Sequence, residues 1–459
     1  MPTTTGQGGL IRFDDLRAQV AAGRIDAVLL AVVDGQGRLK GKEYDARFFL
    51  DQLTAPGGAA EMCAYVFATD IAMTPVDGFG LTSWARGYGD LPLAADLASA
   101  RRLPWLAGTA VVFADALDPS GALLPVAPRS VLRRQLELLG GLGFQLKAGL
   151  ETEFVLYHGT TGTLASRGYR RMQPVTWDNR DYALDFPQTL TDYTRRLRDV
   201  LAQAGLPVEA VKTEGAPGQL EITFPYGDPE AACEGHVLFK HAARTVADRQ
   251  GLAATFMAAP DNTTGSGLHL HLSLWRGEEA AFAPEPGEPL APVAGHAVAG
   301  LLQALPQLGP LYAPNVNSYK RYADHSFAPT RMVWGFDNRS CAVRAVGHGR
   351  GAHLEVRLPG ADANPYLALA AAVAAIRHGI EQELKPPQPC TGDGYLDLDA
   401  PPVPGALEEA LAAFENDPLP ARLLGEEVAG HYAQAARVEI GYHRRQVTDA
   451  ERTRGFAQT

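Results

Sequence analysis

The sequence contains little cysteine. Its 459 residues include four cysteines, and no two of them have the spacing of a metal site: Cys63, Cys233, Cys341 and Cys390. So few, scattered cysteines argue against a disulfide scaffold as the organising principle of the fold. Scattered cysteines are typical of proteins kept in a reducing compartment, so we expect a cytoplasmic protein.

Long apolar runs and an excess of basic residues are also absent. The longest Ala-rich stretch, Leu367 to Ile376, is too short to span a bilayer. The first six residues lack the charged and apolar regions of a signal peptide, so no leader is expected. A net charge of −11 argues against nucleic acid or an anionic membrane as the main partner. We expect neither as a ligand.

Three well-known catalytic motifs are missing from the chain. There is no Walker A sequence, no nucleophile elbow and no HExxH pair. Nucleotide or metal chemistry must therefore use another arrangement of residues. Cys341 has His348 nearby in sequence, but a buried cysteine without a catalytic role is the better interpretation.

Four segments instead alternate between apolar and chemically active side chains. The first runs from Phe144 to Tyr157 and contains Glu151 and Glu153, which must point to the same face of a strand. Alone, this pattern also fits a solvated edge strand with two surface glutamates. Three further segments place the same kinds of side chain on one face: Gln219, Glu221 and Thr223; His269 and His271; His353, Glu355 and Arg357. Together they indicate a curved sheet around a polar cavity.

Arginines and glycines suggest the chemistry of that cavity. Arg339 and Arg344 lie in a segment that otherwise resembles a buried strand, where an arginine needs an anionic partner such as phosphate. The loop Thr264-Gly-Ser-Gly267 leads into the histidine strand and could approach an anion, although most such loops are simple turns. Glutamates for hard divalent ions and arginines for phosphate make a phosphoryl-transfer site plausible.

The remaining patterns predict an α+β fold with two domains. We place the boundary in the Pro- and Gly-rich stretch at about residue 117, giving domains 1–117 and 118–459. Helices are predicted over 13–20, 129–139, 189–204, 229–250 and 361–383, with more helix in the tail as far as His443. The stretch from Asp70 to Asp96 lacks regular periodicity and is predicted to be a long functional loop.

Six motifs, in order, resemble those of the type I glutamine synthetase family. They are Gly149-Leu-Glu-Thr-Glu-Phe154, Glu214 with Pro217-Gly-Gln-Leu-Glu221, Gly265-Ser-Gly-Leu-His-Leu-His271, Asn317-Ser-Tyr-Lys-Arg321, Asn338-Arg-Ser340, and Glu355-Val-Arg-Leu-Pro359 with Asn364-Pro-Tyr366. The match is strong over 118–380, loose before it and weak in the tail. This resemblance implies a small β-grasp N-terminal domain, and a catalytic domain with a curved antiparallel sheet. It also implies a dodecamer of two stacked hexamers with shared active sites.

The resemblance also implies an ATP-dependent ligase that forms γ-glutamyl phosphate from glutamate, which an amine then attacks. Two Mg²⁺ or Mn²⁺ ions would be bound, one by Glu153, Glu214 and Glu221, the other by Glu151, His269 and Glu355. The other roles are implied in the same way. Arg321 would bind the glutamate α-carboxylate and Gly265 would lie near its amino group. Arg339, Arg344 and Arg357 would neutralise the phosphoryl group, and His271 and Ser273 would lie by the nucleotide.

The small domain is expected to complete the site of a neighbouring subunit. Asp77 and Trp84 keep the family's spacing between an ammonium-pocket Asp and a nearby Trp. Asp77 would then act in the neighbour's site, opposite Tyr182 and Glu214. The alternative is a self-contained loop in which Asp77 caps a turn.

Several positions depart from the family pattern. Thr264 stands where Asn is usual, His353 replaces a usual arginine, and the segment around Tyr395 only faintly matches the adenylylation loop. The flap Asp324-His-Ser-Phe-Ala-Pro329 carries Phe327 in place of a glutamate.

The altered flap leaves three hypotheses. The first is a ligase for an organic amine such as a polyamine, ethanolamine or methylamine. The second is an ordinary glutamine synthetase using ammonium. The third is an inactive structural or regulatory relative, which the presence of all six metal-ligand residues disfavours. Phe327 favours the first, unless it packs away from the site.

Overall fold

The computed structural model describes residues 9–55 and 58–458. The expectation of a leaderless N-terminus falls on residues outside this part of the chain. No helix among the described residues combines the length and apolar character needed to cross a membrane.

Helices and strands are interspersed along the chain, as the α+β prediction requires. The α-helices are α1 Phe13–Ala21, α2 Ala46–Phe48, α3 Pro128–Gly141, α4 Thr161–Ser166, α5 Gln188–Gln203, α6 Pro229–Arg249, α7 Pro292–Ala304, α8 Gly309–Tyr312, α9 Pro365–Glu381, α10 Leu407–Asn416, α11 Leu419–Leu424, α12 Glu426–Arg444 and α13 Asp449–Gly455. The strands are β1 Ala27–Val33, β2 Leu39–Asp45, β3 Ala60–Cys63, β4 Asp90–Arg102, β5 Thr109–Ala116, β6 Gln145–His158, β7 Ala210–Thr213, β8 Gln219–Thr223, β9 Leu252–Thr255, β10 Leu268–Arg276, β11 Glu279–Ala280, β12 Trp334–Phe336, β13 Val343–Val346 and β14 His353–Val356.

The first five strands form a small mixed sheet. Its order is β2-β1-β5-β4-β3, and its central pair, β1 and β5, is parallel while the other pairs are antiparallel. Strand β4 begins at Asp90, so the prediction of one long loop as far as Asp96 is wrong in its last part. Pro92 and the Ala-rich run that follows conceal the apolar alternation there. The irregular loop therefore ends at residue 89.

A larger sheet of nine strands carries the predicted polar faces. Its main path is β12-β13-β14-β10-β6-β8-β7, with β9 on β6 and β11 on β10. All of its pairs are antiparallel except β12 with β13. The predicted curved sheet and the fold class are confirmed.

The apolar face of this sheet packs against helices. Leu150, Phe154, Leu270 and Ile222 are buried in one hydrophobic core that also contains residues of α6 and α9. Because side chains alternate along a strand, burying these residues fixes which face the intervening residues occupy. The glutamates and histidines must point away from this core.

The segment around Arg339 differs from its prediction. Only Val343–Val346 forms a strand, while the chain at 338–342 turns. The side chain of Asn338 accepts hydrogen bonds from the backbone N–H and the hydroxyl of Ser340, at 3.0 and 2.7 Å. This local bonding competes with strand pairing. Arg339 is consequently exposed rather than enclosed in a strand.

Candidate active site

Strand register brings the predicted ligand residues together in pairs. His269 lies opposite Glu151, Glu153 opposite Glu221, and His271 opposite Glu355. Directly opposed residues on neighbouring antiparallel strands have Cβ atoms about 5 Å apart. Four strands, β14, β10, β6 and β8, thereby converge on one polar cluster.

The cluster contains three groups whose ligand atoms lie within 4.8 Å of one another. They are Glu153, Glu214 and Glu221; Glu151, Glu221 and His269; and Glu151, His271 and Glu355. The first is the predicted ligand set of one ion. The predicted second set, Glu151, His269 and Glu355, is not one of these three groups, although His269 Nδ1 lies 2.9 Å from Glu151 Oε1 and 3.7 Å from Glu355 Oε1.

The electrostatics of the carboxylates fit a divalent cation. Burial, together with Glu151 and Glu214, raises the pKa of Glu221 to about 10. Burial and Glu153 also raise the pKa of Glu214 above its ordinary value. Carboxylates that repel one another away from water need a positive charge to ionise together. Oxygen-rich groups with an imidazole suit Mg²⁺ or Mn²⁺, so the residues fit the expected ions.

Two arginines hold Glu355 in its ionised form. Arg344 Nη1 donates to Glu355 Oε2 at 2.9 Å, and Arg357 also pairs with this carboxylate. Burial opposes ionisation, but Arg357 and His269 lower the pKa of Glu355 to about 2. Arg344 also pairs with Asp337, a contact that the sequence did not predict. Arg344 and Arg357 therefore lie beside the polar cluster, while Arg339 lies outside it.

Arg321 is buried below the glycine loop. Its Nη1 donates to the carbonyls of Arg357 and Leu358 at 3.1 and 3.2 Å, and its Nη2 lies 3.3 Å from His269 Nε2. A Cβ on Gly267 would lie 2.6 Å from His269 Nε2 and 2.7 Å from Arg321 Nη2, so any other residue there would displace these two groups. Gly267 N–H donates to Glu153 Oε2 at 2.8 Å, and Gly265 lies against the Arg321 side chain. The residues predicted to bind glutamate, Arg321 and Gly265, are thus adjacent to the polar cluster.

A cavity of about 390 Å³ opens beside the cluster, and His271 and Ser273 line it. Trp275 forms part of its wall, with Lys147 Nζ 3.7 Å from the ring centroid. Ser273 Oγ accepts a hydrogen bond from Trp275 Nε1 at 2.9 Å. His271 and Ser273 are the residues that the resemblance placed by a nucleotide, whereas the stacked Lys147 and Trp275 were missed. Lys147 lies opposite Ser273 on the neighbouring strand. Because side chains alternate along β6, Lys147 could have been assigned from the sequence to the same face as Glu151.

Lys212 is a second site residue that the sequence analysis missed. Its Nζ lies 2.6 Å from Glu214 Oε1, 3.8 Å from Glu221 Oε2 and 4.5 Å from the ring centroid of Tyr182. Lys212 lies opposite Glu221 on the neighbouring strand, so correct pairing of β7 and β8 would have revealed it. Tyr182 thereby lies near Glu214 in the same subunit, and it is 65% exposed.

Asp77 makes its contacts elsewhere in the subunit. Its Oδ1 accepts from the backbone N–H of Trp84 at 3.3 Å, and its carbonyl accepts from Gln434. Among the described residues it belongs to none of the three metal-binding groups. The Trp84 side chain is 69% exposed at the same loop. Within one subunit, the loop is therefore capped by Asp77 and presents an aromatic ring to the outside.

Phe327 lies on the flap, next to the arginine pair. Arg357 Nη2 donates to its backbone carbonyl at 3.2 Å, and its side chain is 63% exposed. His325 and Phe327 have φ values of 59° and 60°, which residues with a Cβ rarely adopt. Such backbone conformations concentrate at active sites and ligand clamps.

Comparison with known proteins identifies the family. The glutamine synthetase catalytic domain matches residues 125–454. The chain belongs to the glutamine synthetase family. It is 45% identical over 443 residues to a γ-glutamylethanolamide synthetase of Streptomyces coelicolor, covering 96% of this chain and 95% of that protein.

Two further similarities are to an amine ligase and to a solved structure. A glutamate–isopropylamine ligase of a Pseudomonas species is 34% identical over 422 residues, covering 91% of this chain and 92% of the ligase. A solved complex of GmaS with ADP has a TM-score of 0.83 at 28% identity, covering 96% of this chain and 99% of that one. The predicted family, its amine-ligase branch and its enzymatic character are confirmed.

Proposed function

We propose that this glutamine synthetase family ligase uses a short alkyl amine as its acceptor, with ethanolamine or a polyamine such as putrescine as the leading candidates. ATP would phosphorylate the γ-carboxylate of glutamate, and the amine nitrogen would displace phosphate from γ-glutamyl phosphate. The observation that carries the proposal is Phe327, which occupies the flap position of a family glutamate and is tethered through its carbonyl to Arg357.

The replacement changes what the acceptor pocket can hold. Ammonium is small and strongly hydrated, so its capture depends on several carboxylates. Phe327 removes one negative charge and adds an apolar wall. Each buried CH₂ group stabilises an alkyl amine by about 0.8 kcal/mol, so two to four methylenes could offset the lost attraction. Ammonium has no methylenes and would keep only the attraction of Asp77 and Glu214.

The catalytic roles follow the chemistry of the cluster. We assign Glu153, Glu214 and Glu221 to one divalent ion, and Glu151, His269 and Glu355 to a second, with Mg²⁺ or Mn²⁺ as the ions. Bound ions would neutralise phosphate oxygens and hold the reacting carboxylate. Arg321 would bind the glutamate α-carboxylate near Gly265. Arg339, Arg344 and Arg357 would stabilise the transferring phosphoryl group.

The acceptor site is proposed to be completed by a neighbouring subunit. Asp77 would reach the partner's Tyr182 and Glu214 in a dodecamer of two stacked hexamers, and His271 and Ser273 would lie by the nucleotide. The exposed aromatic side chains at 84 and 182 support a covered surface there. The domain division at about residue 117 and a cytoplasmic location are part of the same proposal.

The deciding experiment compares acceptors under identical conditions. ATP-dependent formation of the γ-glutamyl product is measured with glutamate and ammonium, methylamine, ethanolamine, isopropylamine or putrescine. We expect one of the longer amines to exceed ammonium in kcat/KM. If ammonium is the best acceptor, the protein is a glutamine synthetase with an unusual flap, and the proposal is wrong.

A further inference from the structure

Lys212 extends from strand β7 into the proposed acceptor site. Its Nζ lies 2.6 Å from Glu214 Oε1, 3.9 Å from Asp181 Oδ1 and 4.5 Å from the ring centroid of Tyr182. A carboxylate and an aromatic face are two groups that recognise an alkylammonium ion. The same Tyr182 and Glu214 are proposed to receive the amine substrate. A cation that belongs to the protein therefore lies where a cationic substrate would bind.

The backbone holds Lys212 and Tyr182 together. The hydroxyl of Thr213 donates to the carbonyl of Arg180, and the carbonyl of Thr213 accepts from the N–H of Tyr182 at 3.3 Å. On its other side, Lys212 lies opposite Glu221 of β8. The Lys212 side chain is only 22% exposed. Because hydrogen bonds fix the segments on both sides of it, Lys212 is a built part of the site.

The carboxylates around Lys212 are all engaged in the proposed complex. An ion bound as proposed would neutralise Glu214 and Glu221, the two glutamates that pair with Lys212. Asp181 would then remain as the partner of Lys212 itself. Asp77, which a neighbouring subunit supplies in the proposed assembly, would pair with the ammonium group that reacts. A second ammonium group on the substrate would meet the positive charge of Lys212.

We propose that Lys212 determines acceptor specificity by excluding diamines, so that the preferred substrate is an amine with one positive charge and an uncharged far end, such as ethanolamine. This inference rests on the proposed function and narrows its acceptor class. A short diamine does not exceed the Debye length of about 8 Å at physiological ionic strength, so its second charge stays within the field of Lys212 whichever way the chain points. Two like charges at that distance near a protein surface weaken binding by roughly tenfold. A hydroxyl or methyl group at the far end meets no such repulsion.

The first test compares two acceptors of equal length. Aminobutanol and putrescine have the same chain of methylenes and differ only at the far end, which carries a hydroxyl in one and an ammonium group in the other. Formation of the γ-glutamyl product is measured with each amine at saturating glutamate, ATP and Mg²⁺. We expect kcat/KM for aminobutanol to exceed that for putrescine by roughly tenfold, chiefly through KM. A wild-type preference for putrescine would overturn the proposal.

The second test removes the charge of Lys212. Lys212→Met keeps an apolar stem of similar length, whereas Lys212→Arg keeps the charge. We expect the two kcat/KM values to come within about threefold of each other in Lys212→Met, and the wild-type ratio to persist in Lys212→Arg. Because both amines are measured on the same variant, a general loss of activity cancels from the ratio. Lys385→Met, at an exposed lysine after α9, is the matched control.

Ionic strength separates an effect of charge from an effect of structure. Added KCl should raise the relative kcat/KM of putrescine on the wild type and leave the ratio unchanged on Lys212→Met. Binding without turnover is followed from the melting temperature with glutamate, ADP and Mg²⁺, where putrescine should stabilise the wild type less than aminobutanol does. A ratio that Lys212→Met leaves at the wild-type value would refute the role of Lys212. If that variant fails to fold, Lys212→Gln replaces it, and a wild-type ratio insensitive to KCl refutes the role equally.

The proposed function and the role of Lys212 fail in different ways. Ammonium as the best acceptor would contradict the proposed function, while the ratio of aminobutanol to putrescine would still be measured. Alkyl amines that exceed ammonium, with a ratio independent of Lys212, would contradict only the role of Lys212.

Discussion

Arg357 connects the flap to the metal-binding strands, because Nη2 binds the carbonyl of Phe327 while Nη1 pairs with Glu355. The backbone position of the flap is thus coupled to a residue of the catalytic cluster. The Phe327 side chain is not needed for this link, since only its carbonyl takes part. Substitutions at 327 can therefore change the acceptor pocket while leaving the tether in place.

Replacing Phe327 with glutamate should shift the acceptor preference towards ammonium. The substitution restores a negative charge for the cation and removes the apolar wall that contacts methylenes. The loss of two buried CH₂ groups corresponds to about a tenfold fall in kcat/KM for the preferred alkyl amine. The ratio of kcat/KM values for ammonium and the amine measures the effect. Phe327→Leu is the control, because it keeps an apolar side chain and should retain the wild-type order of acceptors.

Removing a carboxylate of the all-glutamate group should abolish turnover but not folding. Glu153→Ala and Glu221→Ala each delete a carboxylate that faces away from the hydrophobic core and that we propose as an ion ligand. We expect glutamate-dependent phosphate release to fall by at least about a hundredfold, in line with loss of a metal-bound transition-state interaction. Circular dichroism should remain that of the wild type. Near wild-type turnover of both variants at saturating Mg²⁺ would contradict the metal assignment.

The metal-free protein should lose stability as the pH rises. The pKa of Glu221 is raised in the folded state to about 10 from an ordinary 4.5, so the folded chain binds this proton more tightly than the unfolded chain. Its contribution is complete below the unfolded pKa and is lost as the pH approaches the folded pKa. The denaturant concentration at the unfolding midpoint of chelator-treated protein should decrease as the pH is raised from about 5 to about 9.

Two comparisons test this cause. Glu221→Gln cannot titrate, so its stability should change less over the same pH range. Mg²⁺ at a hundred times its dissociation constant should stabilise the wild type by about 2.7 kcal/mol for each ion bound at pH 8. A pH profile that Glu221→Gln leaves unaltered would assign the effect to other groups.

Arg339 and Arg344 should separate catalysis from stability. Arg339→Ala should reduce ATP turnover, because we propose that Arg339 stabilises the phosphoryl group. Arg339 is exposed, so the free energy of unfolding should stay within about 0.5 kcal/mol of wild type. Arg344 pairs with buried Glu355, and removing it should cost about 3 kcal/mol of stability as well. Urea unfolding and phosphate release on both variants provide the comparison. Equal stability losses would show that Arg339 has a structural partner in the assembled enzyme.

Subunits with complementary defects should restore activity in mixed rings. If Asp77 acts in a neighbouring site, an Asp77→Ala subunit still offers an intact metal cluster to a Glu153→Ala neighbour that retains Asp77. Hybrids refolded together should recover a measurable part of the wild-type rate. Glu151→Ala mixed with Glu153→Ala is the control, because both defects disable the same cluster. A monomeric protein, or verified hybrids without recovery, would leave Asp77 as the cap of its own loop.

The sequence predicted the chemistry of the large sheet well because alternation is a local property. Glu151, Glu153, Glu221 and His269 could be assigned to one face from period two alone, and the structure places them together. Predicting contacts between strands also requires the register of each pair of strands, which cannot be read from either strand's sequence alone. Lys212 was missed for this reason, since its importance follows only from lying opposite Glu221.

Turns and loops were predicted less well. Arg339 was assigned to a strand because the residues around it follow the apolar pattern of a buried strand. The hydrogen bonds between Asn338 and Ser340, which prevent a strand there, follow from local geometry that this pattern does not show. The start of β4 was hidden by Pro92. The pairing of His353 with His271 depends on a diagonal contact between β14 and β10, so the sequence showed an unusual residue at position 353 without its partner.

The period of two in the site strands also determines which changes in chain length the enzyme can tolerate. Inserting or deleting one residue within β6, β8, β10 or β14 would turn every following side chain to the opposite face, placing glutamates in the core and leucines in the active site. Length variation should therefore be confined to exposed connections such as residues 285–289, and an engineer lengthening this protein should begin there.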